Sequence, residues 1–484
     1  MVGENTHMGF IKEEPGNMER TNVWTKYTET DLKELDCVNE KYKACLDAGK
    51  TERECVKIAV QMAEEKGYKD LKEFIKNGTP VKAGDKIYAV NMDKSIVLFN
   101  IGKKPLEEGM NMLGAHIDSP RIDVKQNPLY ETEEMAYLDT HYYGGIKKFQ
   151  WVAMPLAIHG VFAKKDGTVV TVNVGENEND PVFVITDILI HLSAMQMQKK
   201  AAEIFDGENF DLLIGSRPIN KVEGMDEDTK DAVKANVLKI LKDTYGVEEE
   251  DFVSAELEIV PAGKARDCGF DRSMILAYGQ DDRVCSFTSL FAMLDVEEVE
   301  RTSCCILVDK EEIGSVGATG MESYFFENIV AELILLATGS ESNLKVRRTL
   351  QNSKMLSSDV SACYDPFFPE CFEKRSSAFL SNGLVFNKFT GKNGKGGSND
   401  ANAEYLAELR SAMDASDITY QFAELGKVDV GGGGTIAFLM ARFGMNVIDS
   451  GVPVLSMHAP WELTSKADVY EAYKGYKAFL TNVK

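Results

Sequence analysis

At 484 residues the chain exceeds the size at which one hydrophobic core keeps growing, so at least two domains are expected. Its 54 basic and 77 acidic residues leave a formal net charge of -23, a balance that argues against nucleic acid or an anionic membrane as partner. Nine cysteines without a CxxC pair exclude a cysteine zinc knuckle and a disulfide framework, no apolar run approaches the roughly 20 residues that cross a bilayer, and the opening MVGENTHMGFIKEEPGNMER has no apolar signal core, so a cytoplasmic protein is expected.

The first periodic segment is helical. Thr51 and Glu54 have capping-box spacing, and Val56, Ala59, Val60 and Ala63 recur on one face. From Lys86 the texture changes: KIYAVN, SIVLFNIG and MNMLGAHID read as strands that pair or neighbour one another. Between about Tyr130 and Pro261, GVFAKKDGTVVTVNVG reads as a hairpin turning at Lys-Asp-Gly, and a charged helical portion follows around Glu223 to Glu250. After Arg266 strand and helix patterns alternate: SMILAYG, DDRVCSFTSLFAMLDVE as an amphipathic helix, CCILVDK, ESYFFENIVAELILLAT and KMLSSDVS. The expected fold is therefore α/β, a mostly parallel sheet with helices on both faces. Its two parts, residues 1–130 and 264–484, flank an inserted, mainly β domain over 131–263. GKNGKGGSND is a loop, and VDVGGGGTIAFLMARFG is a glycine-rich turn entering a helix. Neither GxGxxG nor GxxxxGK[ST] is present, so Gly431 to Gly434, Gly433 among them, suit close approach of an extended ligand to backbone better than phosphate cradling.

Five segments end an apolar run with metal-capable side chains: MLGAHIDSP with His116 and Asp118, YGQDDRV with Asp281 and Asp282, ILVDKEEIGS with Glu311 and Glu312, KMLSSDVS with Asp359, and VPVLSMHAP with His458. Taken singly, each has an ordinary structural explanation, such as a helix cap or a loop histidine. Together they form a His/Asp/Glu set without thiolates, which suits zinc, manganese or cobalt. The strand ends matter because ligands of open α/β sheets bind at that edge. Two divalent cations about 3.5 to 4 Å apart, sharing a carboxylate, can hold a bridging hydroxide and polarise a carbonyl. Of the two adjacent glutamates, one then binds metal and the other acts as general base and later as acid toward the leaving amine.

The order HxD, DD, EEIGS, SSD, SMH resembles the aspartyl aminopeptidases and, more distantly, the tetrahedral glutamyl and lysyl aminopeptidases. GAHIDSPRIDVK, ITDILIHL and LSMHAPWE carry the likeness over nearly the whole chain from about Tyr27. The resemblance implies a metal-dependent aminopeptidase that releases the amino-terminal residue of short peptides, with two divalent ions per subunit, zinc foremost. It makes Asp281 the shared carboxylate, His116 and Asp359 the rest of one metal site, and Glu312 and His458 the rest of the other. Glu311 becomes the base and Asp118 the acid that orients the ligating imidazole. It makes the insert a dimerisation and lid domain of a homo-oligomer, dimers assembled into a dodecamer, with His191 reaching a neighbour's site. Lys388 in LVFNKFTG lies near the family's pocket lysine. The stretch YYGGIKKFQWVAM departs from the family pattern by lacking an Asp-Arg-Asp triplet, which weakens the expectation of an acidic preference. A carboxypeptidase or amino-acid deacylase using the same metals, and a non-catalytic metal-binding assembly protein, are the competing readings. The last has no use for a spare base at Glu311.

Overall fold

All seven residues of the strand Thr302–Val308 are buried, as a strand covered on both faces must be. Alternation sorts its side chains: Cys304, Ile306 and Val308 enter one hydrophobic core, Cys305 and Leu307 the other. The computed structural model describes residues 20–220 and 230–484, and this strand lies inside a nine-stranded sheet. Across the sheet the strands run Lys69–Asp70, Lys86–Asn91, Ser95–Asn100, Thr302–Val308, Met110–His116, Lys354–Ser358, Asn446–Gly451, Leu384–Asn387, Tyr420–Ala423. From Thr302–Val308 through Asn446–Gly451 the four central strands are parallel. Antiparallel pairs lie toward the edges. Helices cover both faces, so the expected α/β architecture is the one observed.

The Thr51 capping box is formed: its hydroxyl accepts from the Glu54 amide, and the Glu54 carboxylate accepts from the Thr51 amide. Two local expectations are corrected. Met110–His116 does not neighbour the Lys86–Asn100 hairpin, because Thr302–Val308 lies between them. Met274–Ala277 leaves the parallel sheet altogether and pairs antiparallel with Glu462–Ser465 in a five-stranded sheet. A third correction concerns the helix Gln280–Leu294, which is buried on every side rather than amphipathic. It is packed between the sheet and the helices Lys466–Asn482 and Glu29–Ala48. Its hydroxyls do not need water: Ser286 donates to the His116 carbonyl at 2.6 Å and Thr288 to the Val284 carbonyl at 2.6 Å.

A six-stranded antiparallel sheet is built from strands between Arg121 and Pro261, ordered Val169–Val174, Leu156–Ala163, Ala255–Pro261, Arg121–Thr132, Met135–Tyr143, Leu212–Gly215. The hairpin at Lys-Asp-Gly is present. Of the charged helical portion, Ala232–Tyr245 is helix, while residues 221–229 lie outside the described residues.

The buried helix yields a stability prediction. Leu290 is fully buried, so Leu290→Ala should destabilise the protein by about 2 to 5 kcal/mol. A shift in the urea midpoint measures it, and an unchanged midpoint contradicts the packing described.

Candidate active site

Three parallel strands bring the acids and one histidine to a single edge. His116 is the last residue of its strand. Asp359 follows the end of Lys354–Ser358, and Glu311 and Glu312 form one 3-10 turn just beyond Val308. These strands are neighbours, so their carboxyl ends coincide. Asp281 and Asp282 sit at the start of the buried helix with non-helical dihedrals (φ -81°, ψ 107° and φ -115°, ψ 29°), which turn both carboxylates inward. His458 comes from the turn joining Pro453–Leu455 to Glu462–Ser465.

Asp281 stands between the histidines. Its Oδ1 is 3.3 Å from His116 Nε2 and its Oδ2 is 3.2 Å from His458 Nε2. His458 Nε2 is also 3.6 Å from Glu312 Oε1, and His116 Nε2 is 4.0 Å from Glu311 Oε2. Ligand-capable atoms of His116, Asp281 and Glu312 lie within 4.8 Å of one another, as do those of His116, Asp282 and Asp359. Both imidazoles are held from behind. His116 Nδ1 lies 2.9 Å from the Asp118 carbonyl and 3.2 Å from Asp118 Oδ1, while His458 Nδ1 donates to the Gly145 carbonyl at 2.9 Å. This leaves each Nε2 facing the pocket.

The electrostatics follow from crowding acids in a buried space. Burial pushes the Glu311 carboxyl up to about 7, with Asp118 and Asp281 adding repulsion and His116 opposing. Glu312, Asp282 and Asp359 are pushed well above the carboxylate range by burial and by neighbouring acids. Asp281 goes the other way: burial works against its charge, but the two imidazoles outweigh it. The donor set fits divalent cations. Among the described residues, Glu312 Oε1 and Asp282 Oδ1 are buried without a hydrogen-bond partner, and an added positive charge would hold these acids ionised.

The site therefore unites His116, Asp118, Asp281, Glu311, Glu312, Asp359 and His458. Three other expected residues make none of these contacts. His191 is exposed in a single turn, Ile190–Leu192, of the six-stranded-sheet region. Lys388 follows the strand Leu384–Asn387, half-exposed, with its ammonium 3.9 Å from Asp400. At the glycine run the chain itself comes close: a Cβ on Gly432 would lie 2.5 Å from the Gly391 carbonyl, and one on Gly431 2.2 Å from the Leu425 carbonyl. Gly433 donates to the Thr390 carbonyl at 3.1 Å, and a Cβ on it would meet Leu425 Cδ2 at 3.6 Å, an ordinary contact.

Sequence reasoning missed Glu462. Its Oε2 accepts from the Asp281 amide at 2.9 Å and its Oε1 from the His458 amide at 2.7 Å, and burial raises it to about 8. A glutamate four residues after His458 was the available signal. It named Asp282 among the metal-capable acids without giving it a role, and it missed the Tyr143–Gly145 wall, whose signal was a Gly-Gly pair closing a strand.

A buried donor set of this kind, at the carboxyl edge of an α/β sheet, defines a metal-dependent hydrolase. Residues 45–480 match the model of the M18 peptidases, aminopeptidase I zinc metalloproteases, and the chain belongs to that family. It is similar to the "Probable M18 family aminopeptidase 1" of Clostridium acetobutylicum, with 56% identity over 96% of this chain and 98% of that one. The crystal structure of the M18-family aminopeptidase from Thermotoga maritima superimposes with a TM-score of 0.90 at 41% identity, covering 96% of this chain and all (100%) of that one. The mApe1 dodecamer of S. cerevisiae shares the fold at 21% identity and a TM-score of 0.74, over 92% of this chain and 97% of that one. The protein is thus an aminopeptidase of the zinc metalloprotease type.

Behind the site, Asp449 accepts from Thr435 at 2.6 Å, and burial pushes its carboxyl up to about 7. A folded pKa above the unfolded value of about 3.9 means that the folded state holds the proton more tightly. Its contribution to stability is full below about pH 4 and is lost as pH rises to about 7. Asp449→Asn keeps the Thr435 acceptor without the titration, so the variant should gain on the wild type between pH 5 and 8 by on the order of a few kcal/mol. Parallel denaturation curves at the two pH values would contradict this.

Proposed function

We propose that the protein releases the amino-terminal residue of short peptides using two divalent cations, zinc foremost, with manganese and cobalt as alternatives. His116 and Asp359 would hold one, Glu312 and His458 the other, and Asp281 would be shared. The two Asp281 oxygens facing different histidines support the shared role, and Asp282 stands close enough to His116 and Asp359 to add to the first site. Bound there, the cations would polarise the scissile carbonyl and acidify an attacking water.

The chain's own residues do the rest. Glu311, with its carboxyl pushed toward neutrality, takes a proton from the attacking water as the carbon–oxygen bond forms and delivers it to the nitrogen as the peptide bond breaks. Asp118 fixes the His116 ring through Nδ1. The single observation that carries the reading is Glu311 itself, beside His116 yet outside both groups of ligand atoms that fall within 4.8 Å. A site whose only task was structural would close its coordination and leave no such acid.

A preference for acidic amino-terminal residues rests on Lys388, whose loose, half-exposed pairing with Asp400 leaves its charge open to a substrate carboxylate. Gly433 offers backbone beside the same loop. The region between residues 131 and 263 is read as an inserted dimerisation domain. Ile188, Leu189, Ile190, Leu192, Met195 and Met197 are all exposed there, an apolar patch that a second copy of the chain would cover. His191 lies exposed within that patch, which supports its reaching a partner subunit. The S. cerevisiae mApe1 dodecamer supports assembly of such dimers into twelve copies. Nine free thiols fit a reducing cytoplasm, and no described helix is long and apolar enough to cross a membrane.

Two variants test the assignment on amino-acid p-nitroanilides and dipeptides. Glu311→Gln should keep wild-type metal content while losing about 100- to 10,000-fold in kcat; retained turnover would remove it as the base. Asp281→Ala should lose metal from both positions, and an unchanged metal-to-protein ratio would remove it from the shared role. Acetylating the substrate amine should abolish cleavage, whereas a deacylase or carboxypeptidase would still cut.

A further inference from the structure

We propose that Tyr143 is a positioning residue of the catalytic centre, through which the six-stranded sheet sets the geometry of the metal ligands in its own chain; this rests on the site assignment above.

Asp118 is the residue on which the contacts around the site meet. Its Oδ2 accepts from the Glu312 amide at 3.1 Å and its Oδ1 from the Glu311 amide at 3.1 Å, and the same Oδ1 faces His116 Nδ1 at 3.2 Å. One buried carboxylate therefore sets a histidine ligand, a glutamate ligand and the base. Among the described residues the remaining donor to it is the Tyr143 hydroxyl, at 2.9 Å from Oδ2. Tyr143 is the last residue of Met135–Tyr143, a strand of the antiparallel sheet and not of the sheet that carries the site.

The ring is clamped, and a clamp is what a positioning group needs. Arg121, its cross-strand partner, lays its guanidinium 3.9 Å from the ring centroid. That guanidinium is held by Glu52 at 2.6 Å, Asp123 at 2.8 Å and Glu258 at 3.2 Å. Glu52 opens the helix Glu52–Glu65 of the parallel-sheet unit, whereas Asp123 and Glu258 belong to the antiparallel sheet. The clamp thus ties both units to one phenol. Burial and Asp118 raise the phenol well above its ordinary value, which keeps the hydroxyl a donor.

The next two residues touch the site as well. Gly144 has φ +72°, and a Cβ there would lie 3.2 Å from Glu312 Oε2, so a side chain would press on the ligand. The Gly145 carbonyl accepts from His458 Nδ1 at 2.9 Å. The segment Tyr143–Gly145 therefore buttresses His116 and the glutamates through Asp118, and His458 directly. A role confined to packing would require only the ring, whereas positioning requires the hydroxyl.

Tyr143→Phe removes the hydroxyl alone and keeps the stacked ring. With metal-loaded enzyme and a free-amine dipeptide, kcat should fall about 10-fold while KM stays within about 2-fold, with metal content and thermal midpoint unchanged. The decisive measurement is the cycle with Asp118→Asn. If Tyr143 acts through Asp118, adding Tyr143→Phe to Asp118→Asn should cost less than about 2-fold more. Wild-type kcat in Tyr143→Phe, or losses that multiply in the double variant, overturns the inference and leaves the site assignment standing. Full activity of Asp118→Asn overturns both.

Discussion

Repulsion among buried carboxyl groups is the constraint around which this molecule is arranged. Asp281, Asp282, Glu311, Glu312 and Asp359 converge on two imidazoles with little access to water. With no cation between them, burial raises four of them above the usual carboxylate range, with repulsion from neighbouring acids adding to it, whereas the two histidines that face Asp281 lower it against the effect of burial. Such a pocket is unfavourable as a packing solution and favourable as a receptacle for positive charge. Cations held there would relieve a cost that the fold already carries.

Holding like charges together requires restraints that add no further charge to the pocket's open side. Two acids behind the site provide them by the same device. Asp118 accepts from the amides of Glu311 and Glu312, and Glu462 accepts from the amides of Asp281 and His458. Each joins two segments that are remote in the chain, and each leaves the side chains of those segments facing inward. Hydrogen bonds to backbone amides are well suited to this, since the amide cannot rotate away as a side chain would.

How much of this was legible in the sequence depends on the range of the interaction. His116, Glu311, Glu312 and Asp359 were readable because each ends an apolar run, and a run's end is a local property. The fold class was readable from alternating periods. Partner choice was not: nothing in SIVLFN or MNMLGAH says that Thr302–Val308, some two hundred residues later, will lie between them. The helix Gln280–Leu294 looked amphipathic because Ser286, Thr288 and Ser289 fall among its apolar residues. Those hydroxyls are satisfied by a carbonyl of the strand, a carbonyl of the helix itself, and Ser358. Glu462 escaped for a similar reason, since an acid that accepts from an amide 181 residues away leaves no local pattern.

The position of the antiparallel sheet in the chain bears on what it does. It begins at Arg121, three residues after Asp118, and its last strand ends at Pro261, shortly before the segment that carries Asp281. Its first and last strands pair with each other, Ile122 opposite Ile259, so entry and exit are fixed side by side. The unit is thus spliced between the segments that carry His116 and Asp281, with its ends stapled together. Were it only an assembly surface, an attachment at a remote loop would serve equally well and would spare the site. Its strand instead delivers Tyr143 and Gly145 against Asp118 and His458, which makes the sheet part of the wall of the candidate site.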